Sequence, residues 1–420
     1  MDGISTAQIA TWGIAAVATG GVIIRPWRWP EAIWAVIGAA ALVLLALLPW
    51  HDALAAIAKG TDVYLFLTGM MLLAELARRE GLFDWLAAHA AEAAKGSAAR
   101  LFGLVYIVGI VVTAFLSNDA TAVVLTPVVY AAAKAAKAKP LPYLLICAFI
   151  ANAASFVLPI SNPANLVLYD NHMPSLLPWL KQFALPSALS ILATYIALRW
   201  LYRSDLRDEI ATGIEVPILS DGGRYTAYGI GATALALLAA SAFDVQLGAP
   251  TFAAGAATAL FVLLKKQEKP WPLLGGISWG VLPLVAGLFV LVAGLNNTGV
   301  VAHLSQLLTW GADHSANATA WAAGGGLAFA TDLMNNLPAG LIAESTVTPA
   351  HVPPVVTGAL LIGVDLGPNL SVTGSLATIL WLVALRREGE YVSAADFLKS
   401  GAVVMPPALL LALGALIFTS

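Results

Sequence analysis

Residues 114–127 read AFLSNDATAVVLTP. Ser117, Asn118 and Asp119 stand in the middle of an apolar run, and Pro127 soon follows. A charged side chain at the centre of a bilayer costs about 3 kcal/mol even on the most lenient scale. A proline inside a helix removes a backbone hydrogen bond and crowds the preceding turn. The stretch therefore does not read as the middle of a plain lipid-facing helix. How the chain turns at Asn118 decides the fold.

The surroundings make the problem sharper. Of 420 residues, 60% are hydrophobic and 11% charged, and the mean hydropathy is +0.83. Soluble domains carry about 25% charged residues. The chain reads as an all-α polytopic membrane protein, and its few charges carry the topology. The start, MDGISTAQIATW, lacks a basic region and a cleavage site and reads as the first span, not a signal peptide. The single cysteine, Cys147, excludes an internal disulfide and a multi-cysteine metal site. No phosphate-binding loop or nucleophile elbow is present, which argues against ATP hydrolysis or hydrolase chemistry in this chain. His51, His172, His303, His314 and His351 fall in outer loops or interfacial segments and His89 in an inner one, with no metal-ligand spacing. No cofactor and no nucleic-acid partner is implied.

About 20 apolar residues cross a bilayer as a helix. Single spans are expected near 5–24, 31–50, 61–77, 176–199, 225–243, 250–265, 277–296 and 400–418. Four further apolar stretches, 101–135, 142–170, 316–348 and 355–385, are interrupted by polar residues, Gly or Pro. With Arg25 and Arg28 placed in the cytoplasm, all but Lys59 and Lys181 of the 21 Lys and Arg residues fall on that side, as orientation rules demand.

That distribution holds only if 101–135 enters and leaves on the cytoplasmic side, because Arg100, Lys134 and Lys137 flank both its ends. It is then a re-entrant hairpin with its tip at Asn118. Segment 316–348, flanked by Asp313, His314 and Glu344, becomes an opposed hairpin from the outer side, tipped at Asn335 and Asn336. Segments 142–170 and 355–385 each cross once as broken helices. The expected total is ten transmembrane helices plus two opposed re-entrant hairpins, with both termini outside. Non-helical backbone at that depth is tolerated only where it lines a protein-enclosed cavity.

The two halves also resemble each other. LFLTGMMLLAELARREGLFDWL (65–86) overlies PLVAGLFVLVAGLNNTGVVAHL (283–304), matching Gly69 to Gly287 and Gly81 to Gly299. Asn118-Asp119 overlies Asn335-Asn336, and SNPANL (161–166) overlies GSLATI (374–379). The span at 61–77 runs inward and its mate at 277–296 outward, so the repeats are inverted. The expected organisation is 1–60 as two N-terminal spans, 61–202 as repeat 1, 203–224 as a cytoplasmic inter-repeat loop, 225–276 as linking spans and 277–420 as repeat 2. Inverted repeats with interruptions at corresponding positions point to a secondary transporter with its site between the breaks.

The same residues resemble a known family. FLSNDATAVVLTP, ATDLMNNLPAGL and GPNLSVTGSLATILWL are similar to the signatures of the bacterial arsenical pump membrane proteins, the arsenite and antimonite efflux permeases of the ion transporter superfamily. The resemblance covers essentially the whole chain. It implies export of trivalent arsenic or antimony hydroxide across the inner (cytoplasmic) membrane, driven by protons. In some systems of that family a soluble arsenite-stimulated ATPase docks on the cytoplasmic face.

From the residues alone, no Lys or Arg lies near either tip in sequence, which favours a neutral, hydroxyl-rich substrate over a dianion. One cysteine cannot form a multi-thiolate cage. Recognition of hydroxyls is therefore assigned to Ser117, Asn118, Asp119, Asn162, Asn165, Asn335, Asn336, Thr373 and Ser375. A carboxylic acid withdrawn from water holds its proton more readily, so Asp119 leads for proton coupling, with Asp365 and Asp332 behind it. Asp119 has Asn336 as its repeat mate, so any proton chemistry there is asymmetric. Glu75 is expected to pair with Arg78 or Arg79 one helical turn away. Two rivals remain: a sodium-coupled carboxylate or sulfate symporter on the same fold, and a passive membrane component that needs a separate ATPase.

Overall fold

The computed structural model describes residues 5–170 and 173–420. His172 lies outside the described residues. Among those residues there are twenty α-helices and no β-strand. The first ten are α1 (Thr6–Ile24), α2 (Glu31–Leu44), α3 (Trp50–Lys59), α4 (Thr61–Arg79), α5 (Leu82–Ala93), α6 (Ala98–Phe115), α7 (Thr126–Ala135), α8 (Leu141–Ala153), α9 (Pro163–Tyr169) and α10 (Leu176–Leu201). The second ten are α11 (Asp221–Ala242), α12 (Gly248–Lys266), α13 (Trp271–Gly276), α14 (Val281–Asn297), α15 (Val300–His314), α16 (Ala316–Met334), α17 (Asn336–Ala350), α18 (Pro354–Leu366), α19 (Leu376–Arg387) and α20 (Ala394–Thr419).

Six of these helices are individually long and apolar enough to cross a membrane, and two bent pairs raise the number to eight. The expected span at 31–50 is shorter than the sequence suggested. Helix α2 ends at Leu44, the chain turns through Ala46 at φ 54°, and α3 starts after Pro49. Proline supplies no N–H and disfavours helix in the residue before it, so Leu47 and Leu48 instead donate back to the Leu42 carbonyl. Helix α3 meets α4 at 46°, and α14 meets α15 at 75°. Helices α5 and α15 each precede one of the two expected hairpins. Each follows a glycine with positive φ, Gly81 at 74° and Gly299 at 85°, a conformation glycine adopts without strain.

Segments 101–135 and 316–348 turn back on themselves. In the first, the strap after α10 fixes the two ends together. Ile210 N–H donates to the Gly96 carbonyl just before α6, and Ala211 N–H donates to the Ala136 carbonyl just after α7. In the second, Thr309 near the end of α15 donates to the Ala350 carbonyl at the end of α17. Gly311 packs on Thr319 at the start of α16. Each segment thus enters and leaves at one level, as a hairpin must.

Packing between the halves follows one pattern. Helix α4 lies along α12, and α14 lies along α2; α10 and α20 lie along each other. Apolar burial does not drive helix association in lipid, so close backbone contact between small residues has to supply it. At Gly69 an added Cβ would run into the Thr251 backbone of α12, and at Gly287 into the Ala35 backbone of α2. These two glycines are the pair matched in sequence. The breaks are held by side chains. Asn165 donates to the carbonyls of Ser155, Leu158 and Pro159 at 2.9, 3.4 and 3.3 Å, and so satisfies backbone that no helix serves.

Candidate functional site

The tip at Ser117–Asp119 forms because α6 ends at Phe115 and the return does not begin as an ordinary helix. Residues Ala120–Leu125 are π-helical, and Pro127 follows in the first turn of α7. π-helical segments cluster at functional sites. The Ser117 Oγ accepts from Ala120 N–H at 3.2 Å, and Asn118 Oδ1 accepts from Asp119 N–H at 2.9 Å. Below the tip, Thr113 and Thr121 hydroxyls bond across the hairpin at 2.8 Å.

The opposite tip is built differently. Asn335 holds φ 75°, and its side-chain oxygen accepts from Leu337 N–H. The second break grips this tip by three bonds. Asn336 N–H donates to the Gly374 carbonyl at 2.8 Å, Asn335 Nδ2 to the Thr373 carbonyl at 3.4 Å, and Thr373 Oγ1 to the Asp332 carbonyl at 3.0 Å. At the first hairpin the corresponding link is Ser161 Oγ to the Ala114 carbonyl at 3.2 Å.

Between the tips lies a chamber lined by Asn118, Asp119, Asn162, Asn336, Leu67 and Val281, closed by Pro163, Leu337 and Ala377. Its volume is about 10 Å³, room for roughly one water. It adjoins a cavity of about 490 Å³ that shares Leu67, Asp119, Pro163 and Val281 and continues past Ser117, Met70, Met71 and Ala74 to Glu75, Arg78, Arg387 and Glu388. Among the described residues the chamber wall sets three amides and one carboxylate among apolar side chains and carries no cation. Its donors are amides, and the N-terminal ends of α17 and α19 reach it at Asn336 and Ala377, where helix dipoles favour electron-rich groups.

Not every expected site residue faces this space. Asn118, Asp119, Asn162 and Asn336 line the chamber, and Ser117 lines the cavity. Asn335 and Thr373 face the second break. Ser375 caps α19, with its Oγ accepting from Thr378 N–H at 3.1 Å. Asn165 ties the first break. Of the three carboxylates, Asp119 lines both chamber and cavity. Asp365 is wholly buried behind the chamber, and Asp332 lies against the Gly374 backbone.

Sequence reading missed several residues. Leu67, Met70 and Met71 of α4 and Val281 of α14 form chamber and cavity walls. Two arginines, Arg78 and Arg387, line the same cavity as Asp119, although both are distant from the tips in sequence. The matched glycines of α4 and α14 were the available signal that these two helices flank the site. The buried Ser155 and Asn369 also escaped notice, and Asn152, the repeat mate of Asp365, donates from Nδ2 to Asn369 Oδ1 at 3.0 Å, joining the two broken helices.

Comparison with known proteins agrees with this architecture. A family model described as citrate transporter matches residues 20–364. The arsenical pump membrane protein of Escherichia coli K12 is 28% identical over 362 residues, which cover 83% of this chain and 84% of that protein. Two solved transporters share the fold. The YdaH transporter of Alcanivorax borkumensis superposes with a TM-score of 0.56 at 15% identity, covering 88% of this chain and 87% of its own. MtrF of Neisseria gonorrhoeae, from a class of antimetabolite efflux pumps, gives 0.54 at 12%, covering 90% and 84%.

Proposed function

Because the chain belongs to the citrate transporter family and is a multi-pass membrane transporter, we propose that it exports arsenite or antimonite from the cytoplasm in exchange for protons. The cargo is the neutral trivalent hydroxide. The observation that carries this reading is the chamber itself: amides and one carboxylate converge there, and no cation does. Hydroxyls of a neutral solute can donate to Asp119 and exchange hydrogen bonds with Asn118, Asn162 and Asn336. The relatives called arsenical pump membrane proteins support the same cargo.

The direction of opening fits export. The large cavity runs from Asp119 toward Arg78 and Arg387, two residues that the charge distribution puts on the cytoplasmic side of an inner membrane. On the other side, Lys59 pairs with Glu344 at 2.8 Å, between α3 and the second hairpin. Substrate enters from the cytoplasm, displaces a proton from Asp119, and leaves after the opposed tips rearrange. A proton from outside then reloads Asp119. Asp365 and Asp332, which line neither space, are secondary candidates.

The packing supports a wider repeat than the sequence suggested. Pairing α1–α10 with α11–α20 in order makes the α4–α12 and α14–α2 contacts equivalent, and likewise the two positive-φ glycines. On this reading the hairpins and broken helices form the moving unit. Helices α2, α4, α12 and α14 belong to the scaffold.

The test is arsenite uptake into everted vesicles driven by a pH gradient. Wild type accumulates arsenite and Asp119→Asn does not; full proton-driven uptake by that variant removes Asp119 as the carrier. A second reading, a sodium-coupled carboxylate or sulfate symporter, draws on the family description and on the two arginines in the cavity wall. Transport by purified chain in proteoliposomes separates the cases: sodium dependence favours the symporter, and a need for ATP favours a component serving a soluble ATPase partner.

A further inference from the structure

The cavity below Asp119 carries two arginines, and an arginine in a concave wall is what an oxyanion transporter would use to gather its substrate. Arg78, however, is already engaged. Its Nε donates to Glu75 Oε2 at 2.7 Å and a terminal nitrogen donates to Oε1 at 2.5 Å, a two-pronged bond. The acid is the fixed partner. The Glu75 side chain is 7% exposed against 50% for Arg78. The Gly276 backbone presses so closely on the Glu75 carboxylate that any side chain at 276 would collide with it. The pair thus lies against α13, where Gly276 leaves room for the acid, and the acid holds the arginine.

Arg78 is eleven residues along α4 from Leu67, which lines the chamber. At about 1.5 Å per residue, that is roughly 16 Å. It stands well away from the chamber. It does line the wall of this cavity, where a free cation in a low-dielectric cleft would focus the field and raise the local concentration of anions. Arg387 is exposed at the mouth with Glu388 beside it, where solvent and salt screen it.

We propose that Glu75 is a specificity-determining residue: by closing Arg78 into an ion pair it keeps the vestibule from concentrating anions, so that neutral solutes reach Asp119 and phosphate, sulfate or carboxylates do not. This rests on the neutral-substrate reading above. Glutamine at position 75 keeps the shape against Gly276 and unmasks Arg78.

The test uses the purified full-length chain, with citrate as the anionic probe. At low ionic strength, citrate raises the unfolding temperature of Glu75→Gln, leaves wild type unmoved, and leaves the Glu75→Gln/Arg78→Gln double variant unmoved. The shift fades as salt is added. In proteoliposomes citrate inhibits arsenite uptake by Glu75→Gln at concentrations at least about tenfold below those needed for wild type, which is about 1.4 kcal/mol. Equal citrate responses in wild type and Glu75→Gln overturn the proposal. Arg78→Gln alone gives a check that does not depend on Glu75→Gln folding. In the uptake assay citrate inhibits it at the same concentration as wild type if Arg78 is masked, and weaker inhibition shows that Arg78 was free and overturns the proposal. If wild type moves no arsenite, the export reading fails while the citrate shifts still decide the role of Glu75.

Discussion

Asn162 donates from Nδ2 to Oδ1 of Asp365 at 2.7 Å, joining two broken helices 203 positions apart in the chain. Asn162 also caps α9, with its Oδ1 accepting from Ala164 N–H at 3.0 Å. The other Asp365 oxygen has no hydrogen-bond partner among the described residues, and the residue is wholly buried. Leaving a buried polar group unpaired costs about 1–3 kcal/mol. Asn162→Ala removes a cap and a partner together and is expected to destabilise the purified protein by about 2–4 kcal/mol. Asp365→Asn keeps an acceptor for Asn162 and is expected to retain the wild-type unfolding temperature and most proton-driven uptake. Loss of proton coupling in Asp365→Asn with the fold intact would move the carrier role from Asp119 to Asp365.

The close contacts at Gly69 and Gly287 make the repeat testable. Each faces backbone on its partner helix, and backbone cannot swing aside as a side chain can. Overpacking a tight contact costs about 1–3 kcal/mol, so Gly69→Ala and Gly287→Ala are expected to lower stability by similar amounts. Gly231→Ala in α11 meets nothing within 4 Å and serves as the neutral control. Thermal unfolding in detergent reads all three. A neutral Gly287→Ala beside a damaging Gly69→Ala would break the proposed equivalence of α4 and α14.

Much of this architecture was legible before any coordinates, and the reason is physical. Charge placement obliged AFLSNDATAVVLTP to turn back, and the hydrogen bonds from Ile210 and Ala211 tie both ends of that hairpin to one strap. The polar tip residues were legible because polar groups at that depth need a protein environment. Their directions were not. Asn335 and Asn336 are adjacent, yet one side chain faces the break and the other the chamber, because φ 75° at Asn335 rotates the chain between them. Apolar wall residues such as Met70 carry no local signal that separates cavity from lipid. Arg78 and Asp119 were read apart because helix α4 brings a distant charge into the cavity below a tip that it does not neighbour in sequence.

The strap that links α10 to α11 is also held by side chains. Lys139 pairs with Asp205 at 2.8 Å and Asp208 at 3.2 Å. The two carboxylates raise the Lys139 ammonium above its usual range, Asp205 foremost. A lysine with a raised value contributes its hold fully below the unfolded value and loses it only as pH climbs through the folded one. The strap is therefore expected to stay docked through the neutral range and to loosen only in strong alkali. Lys139 is exposed, so solvent screens the effect. Hydrogen exchange at the Ile210 and Ala211 amides measures it. Lys139→Ala speeds exchange there at neutral pH, and unchanged rates would show that the backbone bonds alone hold the strap.

The proposed outer seal gives the last prediction. Lys59 meets Glu344, whose side chain is 6% exposed and which also accepts from Ser345 and Thr348 at 3.2 Å each. Lys59 sits on α3 and Glu344 on the second hairpin, so the pair spans the proposed scaffold and moving unit. Removing Lys59 leaves a nearly buried carboxylate without its cation, and that loss acts on the closed arrangement alone. A state held by about 1–3 kcal/mol less gives way about 5- to 150-fold more often. Lys59→Ala is expected to shift the population toward an outer opening. The single native cysteine, Cys147, is wholly buried and adds little background. A cysteine placed at Leu337, on the chamber wall, reports the change through its rate of labelling by an impermeant thiol reagent from the outer face. The rate rises several-fold in Lys59→Ala and returns toward the starting value when Glu344→Gln is added. An unchanged rate in Lys59→Ala would mean that the seal is made elsewhere, by the apolar contacts of α14 with α17.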